Sequence, residues 1–367
     1  MPNHTGTCLP GSAYGGDYGG TRFREAASRP GEDEVYDRGD IRRYRGLVAL
    51  LQDRFRKLGF VPEVAVIAIA GNWRDDMWDF TNLPWDSVTE QEVLKATGVR
   101  RLLFINDMQA AQRGAAHVQR GNLVLLKPGR LQVGRSICAF TSSTGANHNS
   151  SVSDQALPMP RESGHVRPAV PIDFSDVMHL VHFASSQHDA TVEDLIGGQR
   201  GPDMIADYVT QKIMTPSARV RRDIEERRAA GKNVAPLMTN GVITGDSFWL
   251  RVGRLYADLL GYVLNAVIVG DLVGELVLQG SLIMGTPGFA QWMFSPENTN
   301  LRKNLVSVGL PKSYVAVDCT VWGAPEEASM AALGAERIAR SMLQRPSETE
   351  HQGHGGVANR RASSLFN

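Results

Sequence analysis

Asn106 and Asp107 put an amide and a carboxylate side by side, directly after the apolar run Leu102-Leu103-Phe104-Ile105. Four apolar residues in succession read as a buried strand, so the polar pair falls at that strand's carboxyl end. Open α/β sheets gather their ligands at that end. A carboxylate there, within reach of a bound hydroxyl, can take its proton, which makes Asp107 the candidate general base.

Other groups able to do chemistry are spread along the chain. Ala13 to Thr21 carries two Gly-Gly pairs around Asp17 and ends on a threonine. Glycines let the backbone turn with φ > 0 and approach a ligand, Thr21 offers a hydroxyl, and Asp17 can order a hydrated cation; a Gly-rich hairpin explains the same residues. The run Thr141-Ser142-Ser143-Thr144-Gly145-Ala146-Asn147 follows the short apolar stretch Ile137 to Phe140 and reads as a phosphate cradle or as a Ser/Thr-rich surface loop. Glu162 and His165 stand three residues apart around Gly164, a spacing found in metal and acid/base sites. His179 and His182, with His188 nearby, lack a carboxylate or cysteine to complete a metal site and read as partly exposed helix histidines. Glu193 to Gly198 is a helix-to-turn segment, and Gln279-Gly280-Ser281 a turn after an apolar strand.

The elements that must position these groups follow from periodicity. Ile41, Tyr44, Leu47, Val48, Leu51 and Phe55 fall at helical spacing, predicting a helix over Asp40–Gly59 with Gly59 as its stop. Val64 to Ala70 reads as a buried strand, Phe80 to Asp86 as a loop, Thr89 to Thr97 as a helix, and Met108 to His117 as an Ala-rich helix. Further helices are predicted at Ser175–Ser185, Phe248–Val269 and Pro325–Met342, and strands at Glu275–Leu278 and Tyr314–Val317. The mixed-sign helix at 217–232 reads as a solvated face.

The totals exclude some partners. A chain of 367 residues is long for one core and predicts two packed lobes with the site in the cleft between them. Lys+Arg and Asp+Glu are equal at 39 each, so no general attraction to nucleic acid or an anionic membrane is expected, and a small neutral or anionic ligand fits better. Cys8, Cys138 and Cys319 are odd in number and far apart, which argues against a disulfide framework or structural zinc and suits a reducing cytoplasm. No secretory signal is expected at the Met-Pro-Asn-His start, and no apolar run long enough to span a bilayer.

Taken in order, Asp17-Tyr18-Gly19-Gly20-Thr21, Ala68-Ile69-Ala70-Gly71 with Thr81-Asn82-Leu83-Pro84-Trp85, Ile105-Asn106-Asp107, Glu162-Ser163-Gly164-His165 and Glu193 are similar to the landmarks of one family. From about Gly15 to Ala339 the chain resembles the bacterial glucokinases of the hexokinase/actin-like superfamily, as distinct from the ROK sugar kinases with their Cys-rich zinc motif. The resemblance implies an α/β, two-lobed hexokinase/actin-like (ribonuclease H-like) fold. Its parts would be a disordered 1–12, a small α/β domain over 13–117 completed by about 320–343, a large α/β domain over 118–319 and a disordered tail over 344–367.

It also implies ATP-dependent phosphorylation of glucose to glucose 6-phosphate at the entry to glycolysis, in a cytoplasmic homodimer. The family's sugar site falls on Asn106, Asp107, Glu162, His165 and Glu193, with Asp107 as the base. Its nucleotide contacts fall on Asp17, Gly19, Gly20, Thr21, Thr144, Gly145 and Gly280, with ATP and Mg²⁺ as cofactors and no residue holding a metal by itself. The chemistry is consistent: a ring of sugar hydroxyls needs several acceptors and a few mixed donors, and these side chains supply them. No G-x-x-x-x-G-K-[ST] loop occurs, so turns must hold the nucleotide.

This sequence departs from the family on the nucleotide side. The second phosphate loop, Gly-Thr-Gly-Leu-Gly in the family, is Ser143-Thr144-Gly145-Ala146-Asn147 here; a Gly-Gly pair becomes Gly280-Ser281, and Arg22 follows Thr21 where Asn is frequent. Side chains at positions needing φ > 0 cost about 1–2 kcal/mol. The alternative readings are therefore a sugar-binding pseudokinase with a regulatory role, and a kinase for another hexose.

Overall fold

The computed structural model describes residues 7–74, 76–80, 83–130, 135–143, 145–151, 175–307, 318–325 and 329–344. The described residues divide into two compact units, one running to Val118 and resuming at Ser329, the other taking the described residues between.

In the first unit a five-stranded sheet has the order β3-β2-β1-β4-β7, built from β1 (Cys8–Tyr18), β2 (Arg22–Ser28), β3 (Val35–Asp40), β4 (Val61–Ile69) and β7 (Arg101–Asn106). The hairpin of β5 (Gly71–Arg74) and β6 (Met77–Phe80) stands apart from it. β1, β4 and β7 run parallel, while β2 and β3 are antiparallel additions at one edge. β4 is buried along almost its whole length, the pattern of a parallel strand covered on both faces. β1 begins at Cys8, inside the stretch expected to be disordered, because its first residues pair with Val61 and Pro62.

Helix α1 (Leu47–Leu58) stops as expected at Gly59, which takes a left-handed φ of 77°. Its start differs from the expected Asp40. Asp40 closes β3, and its carboxylate accepts the Arg42 N–H at 2.9 Å, a local bond that competes with helix and produces a single 3₁₀ turn over Ile41–Arg43. Helix α2 (Glu90–Thr97) opens on a capping box of Thr89 and Glu92. Helix α3 (Asp107–His117) follows β7 without a gap. A helix over Met330–Leu343 packs on β1 and crosses α3 closely: a Cβ on Gly334 would lie 2.5 Å from the Gly114 nitrogen and overlap the Ala110 carbonyl.

The second unit has its own five-stranded sheet, order β10-β9-β11-β12-β8, from β8 (Val124–Lys127), β9 (Ser136–Ser142), β10 (Ala146–Ser151), β11 (Val273–Gln279) and β12 (Thr320–Gly323). β9, β11 and β12 are parallel, with antiparallel β10 and β8 at the edges. β12 thus belongs to this sheet, and the return into the first unit begins at Ser329, not near 320 as expected. The strand expected at Tyr314–Val317 and the tail beyond 344 lie outside the described residues.

Around this sheet lie α4 (Ser175–His188), α5 (Val192–Ile196), α6 (Gly201–Lys212), α7 (Ala218–Ala229), α8 (Ala235–Ile243) and α9 (Ser247–Gly270). α4 carries His179 and His182 exposed. α7 buries Val220 and Ile224 and turns its charges outward, Arg228 bridging Asp203 at 2.9 Å and Asp207 at 3.0 Å. α9 corrects one expectation: by length and composition its 24 residues could cross a bilayer. Its Leu255, Tyr256, Leu259, Leu260, Leu264 and Ile268 are nevertheless buried in the core of this unit, so its apolarity is that of a core helix.

Candidate active site

The carboxyl ends of β1, β4 and β7 line up across the first sheet, with Tyr18 opposite Ile69 and Ile69 opposite Asn106. Asn106 therefore caps α3 at that edge. Its Oδ1 accepts the Met108 N–H at 2.9 Å, and Gln109 Oε1 accepts the Asn106 N–H at 3.1 Å, a reciprocal cap. This bonding uses the oxygen of the Asn106 amide and leaves its nitrogen as the end that can donate outward. Asp107 is the first residue of the eleven-residue helix, where the partial positive charge of the helix terminus favours a carboxylate.

At the same edge, Gly19-Gly20-Thr21 forms the turn between β1 and β2, so the hairpin reading describes this backbone. The Gly19 N–H donates to the Arg22 carbonyl at 3.2 Å, which removes that amide from the set a phosphate could use. Neither Gly19 nor Gly20 takes a positive φ, contrary to expectation; a hairpin closed by that bond does not require it. Asp17 pairs with Arg24 at 3.2 Å and accepts from Ser329 Oγ at 3.4 Å. Burial pushes its carboxyl above the usual range, and Arg24 pulls it back in part.

Behind the turn lies a buried polar network not anticipated from the sequence. The Tyr14 and Tyr18 hydroxyls are 2.7 Å apart, Tyr14 donates to Glu25 Oε2 at 2.7 Å, and Arg54 Nε donates to Glu25 Oε1 at 2.9 Å. Burial raises both tyrosine hydroxyls well above their ordinary value. The available signal was spacing: Tyr14 and Tyr18 are four apart in a strand and so share a face.

In the second unit the expected phosphate loop and the expected sugar carboxylate meet. β9 ends at Ser142 and β10 starts at Ala146, so the loop is the connection of an antiparallel pair. The Ser143 N–H donates to Gly145 O at 2.9 Å, and the Gly198 N–H to Ser143 O at 2.5 Å. Glu193 sits in the first turn of α5, which opens on the reciprocal cap of Thr191 and Asp194. Its carboxylate lies against Gly145: a Cβ at 145 would overlap Oε1 and lie 3.0 Å from Cδ. Ser143 and Asn147 do not take positive φ, so replacing the family's glycines costs no left-handed strain here. Gly280, which follows β11, does require glycine, with φ 105° and no room for a Cβ beside the Ser142 backbone.

Thus Asn106 and Asp107 share one sheet edge with Gly19, Gly20 and Thr21, while Gly145, Glu193 and Gly280 gather at the carboxyl ends of β9 and β11. Thr144, Glu162 and His165, like Thr81 and Asn82, lie outside the described residues. Tyr256 carried no signal of its own in the sequence; together with Ser142 and Gly198 it ties the loop to α5.

Two units of this kind, each a mixed five-stranded sheet with flanking helices, define the fold of the hexokinase-type two-domain sugar kinases. A glucokinase from an Antarctic psychrotroph superposes with a TM-score of 0.68 at 17% identity, over 89% of this chain and 99% of that one. A Balamuthia mandrillaris glucokinase solved in complex with glucose gives 0.65 at 18%, over 90% and 93%. A ROK family glucokinase from Streptomyces griseus, solved in complex with glucose and AMPPNP, gives 0.56 at 15%, over 90% and 99%.

The glucokinase family model matches residues 15–259, and the chain belongs to that family. Glucokinase of Sinorhizobium fredii is 29% identical over 158 residues, 41% of this chain and 46% of that protein. Glucokinase of Rhizobium leguminosarum bv. trifolii is 23% identical over 265 residues, 70% of this chain and 75% of that protein. The matched part thus spans about half the length of the first relative and three quarters of the second.

Proposed function

We propose that this protein phosphorylates glucose to glucose 6-phosphate with ATP, using Asp107 as the general base. The observation that carries the reading is the placement of Asn106-Asp107 at the carboxyl tip of β7, opening α3, in a chain of the glucokinase family. Asp107 accepts the proton of the sugar hydroxyl as that oxygen attacks the γ-phosphorus; the bond to the β-phosphate oxygen breaks and ADP leaves. Asn106, Glu162, His165 and Glu193 hold the sugar hydroxyls. Gly20, Thr21, Thr144, Gly145 and Gly280 hold the phosphates of MgATP, which enters as substrate; Asp17 orders its hydrated cation, and Gly19 closes the turn through its bond to Arg22.

The Balamuthia enzyme solved in complex with glucose and the Streptomyces enzyme solved with glucose and AMPPNP support a sugar and a nucleotide as the ligand pair. The absence of a Cys-rich motif among three separated cysteines supports a place outside the ROK group. A cytoplasmic homodimer working at the entry to glycolysis completes the reading. A coupled assay for glucose 6-phosphate tests it: turnover with glucose, ATP and Mg²⁺ is expected, and glucose binding without turnover across several donors would sink the kinase reading. A sugar-binding protein without turnover is the second reading. It draws on the Ser143 amide, which is already engaged by Gly145.

A further inference from the structure

Ser142 and Glu193 belong to different elements of the second unit, and one buried tyrosine ties those elements together. Tyr256 lies on α9 with no exposed surface. Its hydroxyl is 3.1 Å from Ser142 Oγ and 3.1 Å from the Ile196 carbonyl, and Ser142 Oγ donates to the same carbonyl at 2.6 Å. Two hydroxyl protons thus serve three contacts.

Ile196 is the last residue of α5, the helix that carries Glu193, and Ser142 is the last residue of β9, from which the Ser143–Gly145 loop departs. Carbonyls in the last turn of a helix have no donor within the helix, and one buried without a partner is costly. A phenylalanine would fill the apolar space beside Phe289 equally well, so the hydroxyl is explained by these bonds. The Gly198 N–H to Ser143 O bond adds a second tie between the same two segments.

We infer that Tyr256 is a positioning residue that joins the sugar-side helix α5 and the phosphate-side loop into one body. Ordering of either segment by its ligand then orders the other, so glucose and nucleotide bind with positive coupling that runs through the Tyr256 hydroxyl. This inference rests on the proposed function, in which Glu193 holds sugar and Gly145 phosphate.

The test compares the full chain with Tyr256→Phe and Ser142→Ala. Glucose affinity is measured calorimetrically with and without AMPPNP. The full chain should bind glucose about tenfold tighter with the nucleotide analogue, and each variant less than about twofold tighter. A merely structural role would lower the melting temperature and leave that ratio alone. No coupling in the full chain, or undiminished coupling in Tyr256→Phe, overturns the inference. Amide hydrogen exchange gives a readout independent of activity: in Tyr256→Phe, Gly197–Gly201 and the amides of Ser143 and Gly145 should exchange faster together, and a change in only one segment contradicts the tie. If the full chain binds no glucose at all, the proposed function falls instead, and exchange alone decides whether Tyr256 joins the segments.

Discussion

Glu193 Oε1 occupies the space in which a side chain at Gly145 would begin, with the carboxyl carbon 3.0 Å from that point. A carboxylate assigned to the sugar and a glycine assigned to phosphate are therefore in direct contact within one unit. Gly145→Ala should push the Glu193 carboxylate aside and weaken glucose binding by about tenfold or more, equivalent to at least about 1.4 kcal/mol. Glucose titration by calorimetry checks this, with circular dichroism confirming retained secondary structure. Unchanged affinity would remove Glu193 from the sugar site.

Asp107 depends on α3, and α3 is held by the Met330–Leu343 helix through the Gly334 contact with Ala110 and Gly114. One methyl group there must separate the two helices. Gly334→Ala should destabilise the first unit by about 1–3 kcal/mol, the usual cost of overpacking. Urea unfolding followed at two wavelengths measures it, and an unshifted midpoint would show that the contact is looser than described.

Asp17 predicts a pH dependence. Burial raises its folded-state carboxyl above the unfolded value of about 3.9, so the folded protein holds that proton more tightly than the unfolded chain does. Its stabilising contribution is fully present below about pH 4 and is lost as pH rises through the raised value. Asp17→Asn, which does not titrate, should gain stability relative to the native chain as pH rises above about 4. Parallel stability profiles for the two proteins would contradict this.

The sequence departures in the loop assigned to phosphate are milder than their residue types suggest. Asn147 pairs with Thr141 in the β9–β10 ladder, and neither it nor Ser143 is left-handed. Replacing both with glycine should leave the ATP KM within about twofold, since there is no strain to relieve, while loosening the strand slightly. A large gain in ATP affinity would mean that these side chains obstruct the nucleotide.

What could be read from the chain was whatever local pattern encodes. The run ending at Asn106 gave a strand and its tip, Gly59 gave a helix stop, and the apolar stretch at 64–70 gave the buried strand that lies between β1 and β7. What could not be read depends on partners distant in sequence. β1 starts at Cys8 because Val61 and Pro62 lie beside it, and β12 joins the second sheet through β11 and β8. The Tyr14–Tyr18–Glu25–Arg54 network and the Tyr256 hydroxyl bonds are equally non-local, so local pattern does not reveal them. At the candidate site, residue types were legible from motif order, whereas the closeness of Gly145 to Glu193 required coordinates.

The central claim is that Asp107 removes the proton from the sugar hydroxyl during phosphoryl transfer. Steady-state turnover of Asp107→Asn, with glucose affinity measured alongside, tests it most directly. The substitution keeps the shape of the side chain at the start of α3 while removing its basicity. Turnover should fall by about 10²–10⁴-fold with glucose affinity within about threefold of the native protein. Turnover near the native rate would contradict the assignment of Asp107 as the base.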